Sequence, residues 1–445
     1  MRYPCILTLA VAHSLAPSNN QLQGLRAAIV GGGASGLLLA HRLLDAGCTV
    51  KIFEGRADPR SSDALEGRAY ALGLGLRGRT AIRSCDEELW QSVKGAGFGS
   101  DRFTIHLPFG AIDLRKPDPS REPSVLIYQT ALCGALLDEL ERRHASDRLR
   151  MIFERKVEDV DPLTGAVDGE TFDLVAGCDG VNSATRGAIA ERCPGFDVER
   201  VELPGSLKVV RLSSMPEPLA PDAVHLVPGK GGLAAFLEPT KDGACALLSW
   251  RPSEEDPGTI TDADAARLLL ADSFSLIGAA FNTTAVGEQF VRQNSSRAAT
   301  IRCNAYTYGR VALLGDAAHS TGGASGQGCN SALQDAAALA DALLETCGDV
   351  AGALERYGNE RVPEGHALLD LSVGPKGALR RARFGLSAVA SSLLSKFGIG
   401  EPPLQTLLTT SLEPFAEIRR RRDGTFGKFP SAEDFAEMRL KATAP

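Results

Sequence analysis

Residues 25–54 constrain this chain more than any other stretch. They read Leu-Arg-Ala-Ala-Ile-Val-Gly-Gly-Gly-Ala-Ser-Gly, then an apolar helical segment from Leu37 to Ala46 stopped by Gly47, then Cys-Thr-Val-Lys-Ile-Phe-Glu. An apolar strand that runs into a glycine turn, a helix and a second strand ending in an acid is a dinucleotide-binding unit. Gly31 gives the tight turn, Gly33 lets backbone approach a pyrophosphate, and Gly36 lets helix and strand pack closely. Ala34 and Ser35 are further candidates for cofactor contact, since the helix N-terminus that follows faces the phosphates with its dipole. Glu54 ends the second strand, where an acid binds ribose hydroxyls. Gly73, Gly75 and Gly78 repeat the spacing, but no apolar strand is apparent before them and arginines crowd the segment. That match reads as chance, leaving one dinucleotide site.

The rest of the chain reads as α/β, then all-β, then α/β again, then helical. Residues 1–24 form a candidate leader: Arg2, an apolar run from Cys5 to Ala12, small residues at Ala10, Ala12 and Ser14, and no acid before Asp45. Such a leader implies entry to an organelle or the secretory route, and without it the reading is cytoplasmic. Residues 25–200 form the first part of the dinucleotide-binding domain, with 65–123 partly facing substrate and showing little periodicity. Strand-like runs fall at Ser124–Tyr128, Met151–Val160 and Thr171–Ala176, and a helix at Thr130–Arg143. Residues 201–300 hold short strands separated by Pro and Gly, an inserted antiparallel sheet. Residues 301–350 return to the first domain, with a strand at Val311–Leu314 and a helix at Ser331–Leu344, and 351–445 are helical. The fold class is therefore a Rossmann-like α/β domain with an inserted antiparallel sheet and C-terminal helices.

Bulk properties exclude several function classes. A net charge of −7 argues against nucleic acid as a partner. Ten cysteines show no CxxC pair and no metal-ligand spacing, so no metal site is expected. No apolar run reaches the ~18 residues of a membrane span. The Arg419–Arg422 run and the apolar stretch Phe384–Phe397 leave contact with a membrane surface open, beside the simpler readings of a solvated helix face and a core or lid helix.

Two further motifs sharpen the reading. Leu174-Val-Ala-Gly-Cys-Asp-Gly-Val-Asn-Ser-Ala-Thr-Arg186 is a strand, a turn at Asp179 and Gly180, and a helical turn carrying Arg186. Arg310-Val-Ala-Leu-Leu-Gly-Asp-Ala-Ala-His319 delivers Gly315 and Asp316 from a strand into a loop, and Gly326, Gly328 and Asn330 open the next helix. Backbone amides there suit an electron-rich or anionic group.

Together the three motifs resemble the single-component, FAD-dependent aromatic hydroxylases over about residues 25–425. Within that family Gly67-Arg-Ala-Tyr-Ala-Leu-Gly-Leu-Gly-Leu-Arg-Gly-Arg79, Val175–Asp179 and Leu313–His319 are most similar to kynurenine 3-monooxygenase-like members. The resemblance implies FAD held at Glu54 and Asp316, with Asp179 serving both FAD and transient NAD(P)H, and Gln129 where relatives have Arg or Gln beside the flavin. It implies an NAD(P)H-using monooxygenase that hydroxylates a small aromatic or other electron-rich substrate with O2, through a flavin C4a-hydroperoxide. Arg102 stands near the family's arginine for the substrate carboxylate. On that reading an acid substrate is anchored by Arg102 and Arg102→Ala raises its KM. His319 reads as a structural loop histidine, and Arg68 and Arg83 as either site contacts or surface groups.

The chain departs from the family at recognition positions. Gly323 replaces the usual Pro of the loop after Gly-Asp-Ala-Ala-His, whose carbonyl helps place the reactive flavin oxygen. Gly374-Pro375-Lys376 stands where kynurenine hydroxylases carry Tyr-Asn-Tyr, Arg420 falls near a later substrate tyrosine, and a tyrosine near Phe109 is missing. Two other readings stay open: an FAD reductase without oxygen insertion, acting on a prenyl or polyene substrate, and a non-catalytic flavoprotein.

Overall fold

A computed structural model describes residues 21–61, 70–144, 147–251, 256–323, 325–378, 380–382, 384–385 and 401–443. The leader up to residue 20, the Gly67–Ala69 part of the family run with Arg68, and most of the Phe384–Phe397 stretch lie outside these residues.

Short apolar strands form the middle of the first sheet. Its order is Thr307–Tyr308, Val311–Leu313, Leu174–Gly177, Arg26–Val30, Thr49–Phe53 and Leu149–Ile152. All pairs are parallel except the outer Thr307–Tyr308 hairpin. Val311–Leu313, Leu174–Gly177 and Ala27–Val30 are buried on both faces, as their unbroken Val, Ile, Leu and Ala runs require. Helices Ala34–Asp45, Gln129–Arg143 and Gly328–Glu345 share this core. A small antiparallel layer of Val160–Asp161, Ala166–Val167 and Glu170–Thr171 also joins it, with the Phe172 ring edge-on to Phe53 at 6.4 Å.

The strands of the three motifs are direct neighbours, so their carboxyl ends meet on one rim. Gly31 donates to the Phe53 carbonyl at 2.7 Å, Cys178 to Val30 at 2.7 Å and Leu314 to Gly177 at 3.0 Å. Segments about 140 residues apart in sequence thereby converge, as ligand sites do at strand ends of open α/β sheets.

The second sheet runs Ser206–Leu212, Gly243–Trp250, Ala234–Thr240, Ala223–Pro228, Arg102–Leu107 and Gly110–Arg115. It is not wholly antiparallel as expected, because Ala223–Pro228 pairs in parallel with Arg102–Leu107. One face packs on helices Ala263–Ser273, Gly278–Phe281 and Thr284–Arg292 around Phe274, Phe281 and Phe290. Those helices were not expected, although their caps are legible: Asp262 accepts from the Ala265 N–H at 2.7 Å and Thr283 from Val286 at 3.3 Å. The other face rests on a three-stranded layer of Ala71–Leu74, Ser124–Tyr128 and Phe98–Ser100.

Several local expectations are corrected. A strand, Ala71–Leu74, does run into the second glycine match, and Gly75 caps the helix Leu76–Cys85. The strand pairs antiparallel, and the Asn330 side chain fills the helix N-terminus, so the match still builds no dinucleotide turn. The stretch 151–160 is strand only at its two ends, and 171–176 is split by a bend. Helices begin earlier than the pattern implies, at Ala34 and at Gly328. Among the described residues no helix is long and apolar enough to cross a membrane.

Gly31 and Gly36 are set by this packing. Gly31 has φ +107°, and an added Cβ would run into the Cys178 carbonyl; one on Gly36 would run into the Gly31 carbonyl. Backbone cannot yield there as a flexible side chain can. Gly36→Ala is expected to cost ~1–3 kcal/mol or more, read as a lower urea midpoint at unchanged slope. An unchanged midpoint would contradict the close approach.

Candidate active site

The glycine turn closes on its own acid. Glu54 Oε2 accepts the Gly32 N–H at 2.7 Å and Oε1 accepts the Arg56 N–H at 2.8 Å. Each carboxylate oxygen keeps a further lone pair toward the groove. Gly33 caps the helix, and a Cβ there would meet nothing within 4 Å; the same is true at Gly180, Gly323 and Gly326. The glycines therefore divide into two sets. Gly31, Gly36 and Gly315 are packed against protein, whereas these four open their backbone to free space.

Polar atoms left without partners line the same rim. Asp179 Oδ1, Thr130 Oγ1, Thr321 Oγ1 and Gln327 Oε1 are buried and unbonded within the protein. Asp316 lies among them, and burial raises its carboxyl above the usual range against the opposing pull of His319 and Ser320. Tyr70 lies close by, with 43% of its surface exposed. Its carbonyl accepts the Gln129 N–H at 3.0 Å, which fixes the start of the helix after Tyr128. Open backbone at a helix N-terminus, an acid at the second strand end and a ring of unpaired acceptors suit a long ligand with phosphate, ribose, ribityl and ring N–H groups, and FAD is such a ligand.

The Gly315–Asp316 loop is anchored by a residue not singled out from the sequence. Asp335 is fully buried on the helix Gly328–Glu345. Its Oδ2 accepts the Gly315 N–H at 2.9 Å and meets His319 Nε2 at 2.7 Å, and Oδ1 takes Arg361 Nε at 2.7 Å. Burial opposes ionisation of Asp335, but His319 and Arg361 hold its carboxyl below the usual range. Tyr306 stacks on His319 at 5.5 Å. His319 is thus a positioning group, in line with the structural reading. The signal was weak: Asp335 lies five residues past Asn330 on the helix that the third motif opens, but its partner Arg361 sits on another helix.

Three side chains assigned to ligands have other work. Arg186 is buried and donates to the carbonyls of Ala317 at 2.9 Å and Val181 at 2.6 Å, stitching the second motif to the third. Asn330 takes the Gly75 and Gly78 N–H groups at 2.9 and 3.2 Å and donates to Gly73 at 2.9 Å and Gly326 at 3.3 Å. Asp179 Oδ2 caps the next helix through the Thr185 N–H and hydroxyl, both at 3.0 Å, leaving only Oδ1 free. Arg83 pairs with Glu122 and Glu87 at 2.9 Å each, away from the rim.

Arg102 is also corrected. It aligns with Ala223 and neighbours His225, whose partner Leu237 packs in the helix-covered core, so it stands on the face turned away from the FAD-binding body. There it pairs with Asp222 at 2.9 Å. Gly323 has φ +80°. Proline, locked near −65°, cannot take that conformation, so this loop has its own path.

The FAD binding domain family matches residues 25–372. Kynurenine 3-monooxygenase of Salinispora arenicola is 30% identical over 431 residues, covering 89% of this chain and 90% of that protein. The enzyme of the same name from Stenotrophomonas maltophilia is 29% identical over 437 residues, 89% of each. Among solved structures, tetrameric 2-methyl-3-hydroxypyridine-5-carboxylic acid oxygenase superposes with a TM-score of 0.64 at 19% identity, covering 86% of this chain and 96% of that one. PqsL of P. aeruginosa in complex with 2-aminobenzoylacetate gives 0.62 at 23%, covering 78% and 95%. The chain belongs to the FAD-dependent aromatic hydroxylases. It is an FAD-dependent, NAD(P)H-using monooxygenase of the kynurenine 3-monooxygenase-like kind.

Gly33→Val should purify without FAD while the apoprotein keeps its wild-type melting temperature, because the new side chain enters only ligand space; a yellow variant with full FAD content would refute the placement. Asp335→Asn tests the anchor. Asp335 has a depressed folded-state pKa, so its contribution is present above the unfolded carboxyl value of ~3.9 and lost as pH falls through the folded value. The variant should be less stable than wild type by ~3 kcal/mol near neutrality, with the gap closing in acid below pH ~4. A pH-independent gap would show that the charge is not what holds the loop.

Proposed function

We propose that this monooxygenase hydroxylates an aromatic or similarly electron-rich small molecule other than kynurenine. The observation that carries the reading is the loss of recognition groups at positions the resemblance gives to kynurenine. Pro375 stands in place of a polar group, and Arg420 pairs with Glu417 on its own helix at 2.5 Å. Phe109, near the third missing position, projects into solvent with 84% of its surface exposed. The three cofactor motifs are kept, with Gly323 in place of the usual Pro.

What bound FAD supplies is acceptance of reducing equivalents from NAD(P)H and activation of dioxygen. The chain's own residues do the rest. The Gly33 turn and the Asp335-anchored loop hold the ligand, Glu54 and Asp316 offer acceptors to its hydroxyls, and the second sheet roofs the reacting end and limits water.

Each substrate polar group left unpaired in a buried site costs ~1–3 kcal/mol, so one loss already weakens transition-state binding by about tenfold or more. Purified holoprotein should therefore oxidise NAD(P)H slowly with kynurenine and release the oxygen mainly as peroxide. With at least one member of a panel of aromatic acids, amines and phenols, NAD(P)H loss and oxygen uptake should match hydroxylated product. Tightly coupled 3-hydroxykynurenine formation would overturn the proposal. NAD(P)H oxidation with substrate reduction and no oxygen uptake would favour the reductase reading.

A further inference from the structure

The sheet face that meets the FAD-binding body carries one row of side chains that packing does not explain. Strand register aligns Arg211 with Cys245, and Cys245 with Glu238. Neighbouring strands lie ~4.8 Å apart, so Arg211 and Glu238 flank Cys245 with their backbones ~10 Å apart. Alternate residues Leu237, Ala244 and Ala246 point the other way, into the helix-covered core.

The row's direction is fixed by two contacts. Cys245 Sγ takes the Ala71 N–H at 3.4 Å, and the Arg211 guanidinium lies over the Tyr128 ring, 4.4 Å from its centre. Tyr128 immediately precedes Gln129 on the rim described above. Phe236, two residues before Glu238 and on the same face, meets Phe103 edge-on at 5.8 Å and adds an apolar wall.

Each charged end of the row keeps unused hydrogen-bonding capacity. Glu238 is only 8% exposed, and among the described residues no group donates to its carboxylate and no cation pairs with it. Arg211 Nη2 is buried and unbonded. The two do not reach each other, since Arg211 is held over Tyr128. Desolvation pushes the Glu238 carboxyl up to about 7, and burial pushes the intervening Cys245 thiol up to about 12, so the thiol stays neutral. An unpaired buried acceptor and an unpaired buried donor on one face, with an aromatic wall between the sheet and the rim, are the two ends of an unfilled polar contact.

We propose that Arg211 and Glu238 are this enzyme's substrate-recognition pair, Arg211 taking the carboxylate of an aromatic acid and Glu238 accepting the N–H or O–H of its ring amino or hydroxyl group. The proposal rests on the monooxygenase reading and adds the substrate class to it. It moves the acid anchor from Arg102, on the far face, to an arginine beside Tyr128. A carboxylate accepting from a ring amine or phenol also leaves the ring richer in electrons, which is what an electrophilic oxygen donor requires.

The test is titration of the holoprotein, followed by perturbation of the flavin absorbance, with the three aminobenzoate isomers, benzoate and aniline. Wild type should bind its preferred aminobenzoate roughly tenfold or more tightly than either benzoate or aniline, the value of one charge-assisted hydrogen bond. Glu238→Leu should abolish the advantage over benzoate, Glu238→Gln, which keeps a neutral acceptor, should only reduce it, and both should leave benzoate binding as it was. Arg211→Gln should abolish the advantage over aniline and leave aniline binding as it was. FAD content should be unchanged in all three. Equal binding of all probes by wild type, absence of binding by every probe, or variants that weaken all probes alike would overturn the pair. Selective binding without any hydroxylated product would leave the pair standing and defeat the monooxygenase reading, so the two failures are separable.

Discussion

The site depends on one buried carboxylate. Ala317 and Ala318 bury the turn that carries Asp316, but such small side chains do not by themselves fix the direction of its backbone, so something outside the turn must set its path. Asp335 does so by gathering a backbone N–H and an imidazole from the turn and a guanidinium from another helix. Such a cluster adds little net stability compared with well-packed apolar groups, because desolvation offsets most of the attraction. What it provides is geometry: if Gly315 shifted, an ion would be left buried and unpaired. Tyr357 reinforces this by donating to the Leu313 carbonyl at 2.8 Å, at the end of the strand that feeds the loop.

The same logic separates the two roles of glycine along the rim. Where an added Cβ would strike backbone, as at Gly31 and Gly36, the residue serves the fold; where it would meet empty space, as at Gly33, it serves the ligand. Sequence spacing cannot make that division, because both sets obey one motif. The cofactor cradle is therefore a rigid half, set by strand neighbours and their carbonyls, beside an open half whose shape is completed by what binds.

Much of the first domain was legible because its signals are local. The glycine turn, the acid at Glu54 and the order of the three motifs each lie within a short window and need no tertiary knowledge. The second sheet was less legible. The strand Gly110–Arg115 is an exposed edge whose alternation is only Ile112 and Leu114 against Asp113 and Arg115, too short to stand out, and the pairing of Arg102–Leu107 with Ala223–Pro228 is set by register across some 120 residues. Arg102 illustrates the limit: a strand's alternation says that its side chain opposes that of Phe103, but not which face a distant domain will cover. Arg186 and Asn330 were read as ligands because they sit inside motifs. Only the carbonyls and amides that surround them show that their hydrogen-bonding capacity is already used. Arg211 and Glu238 went unread for the opposite reason, since single charges within apolar strands look like surface positions until both are found enclosed.

The central claim is that this cradle supports insertion of one atom of dioxygen into an electron-rich ring. It is tested most directly by turnover of the holoprotein under 18O2 with NAD(P)H and the best substrate of an aromatic panel, with the product read by mass spectrometry. The account predicts a product heavier than its substrate by one 18O atom, in amounts matching the NAD(P)H consumed. Product formed at the same rate without oxygen, or carrying oxygen from water alone, would contradict it.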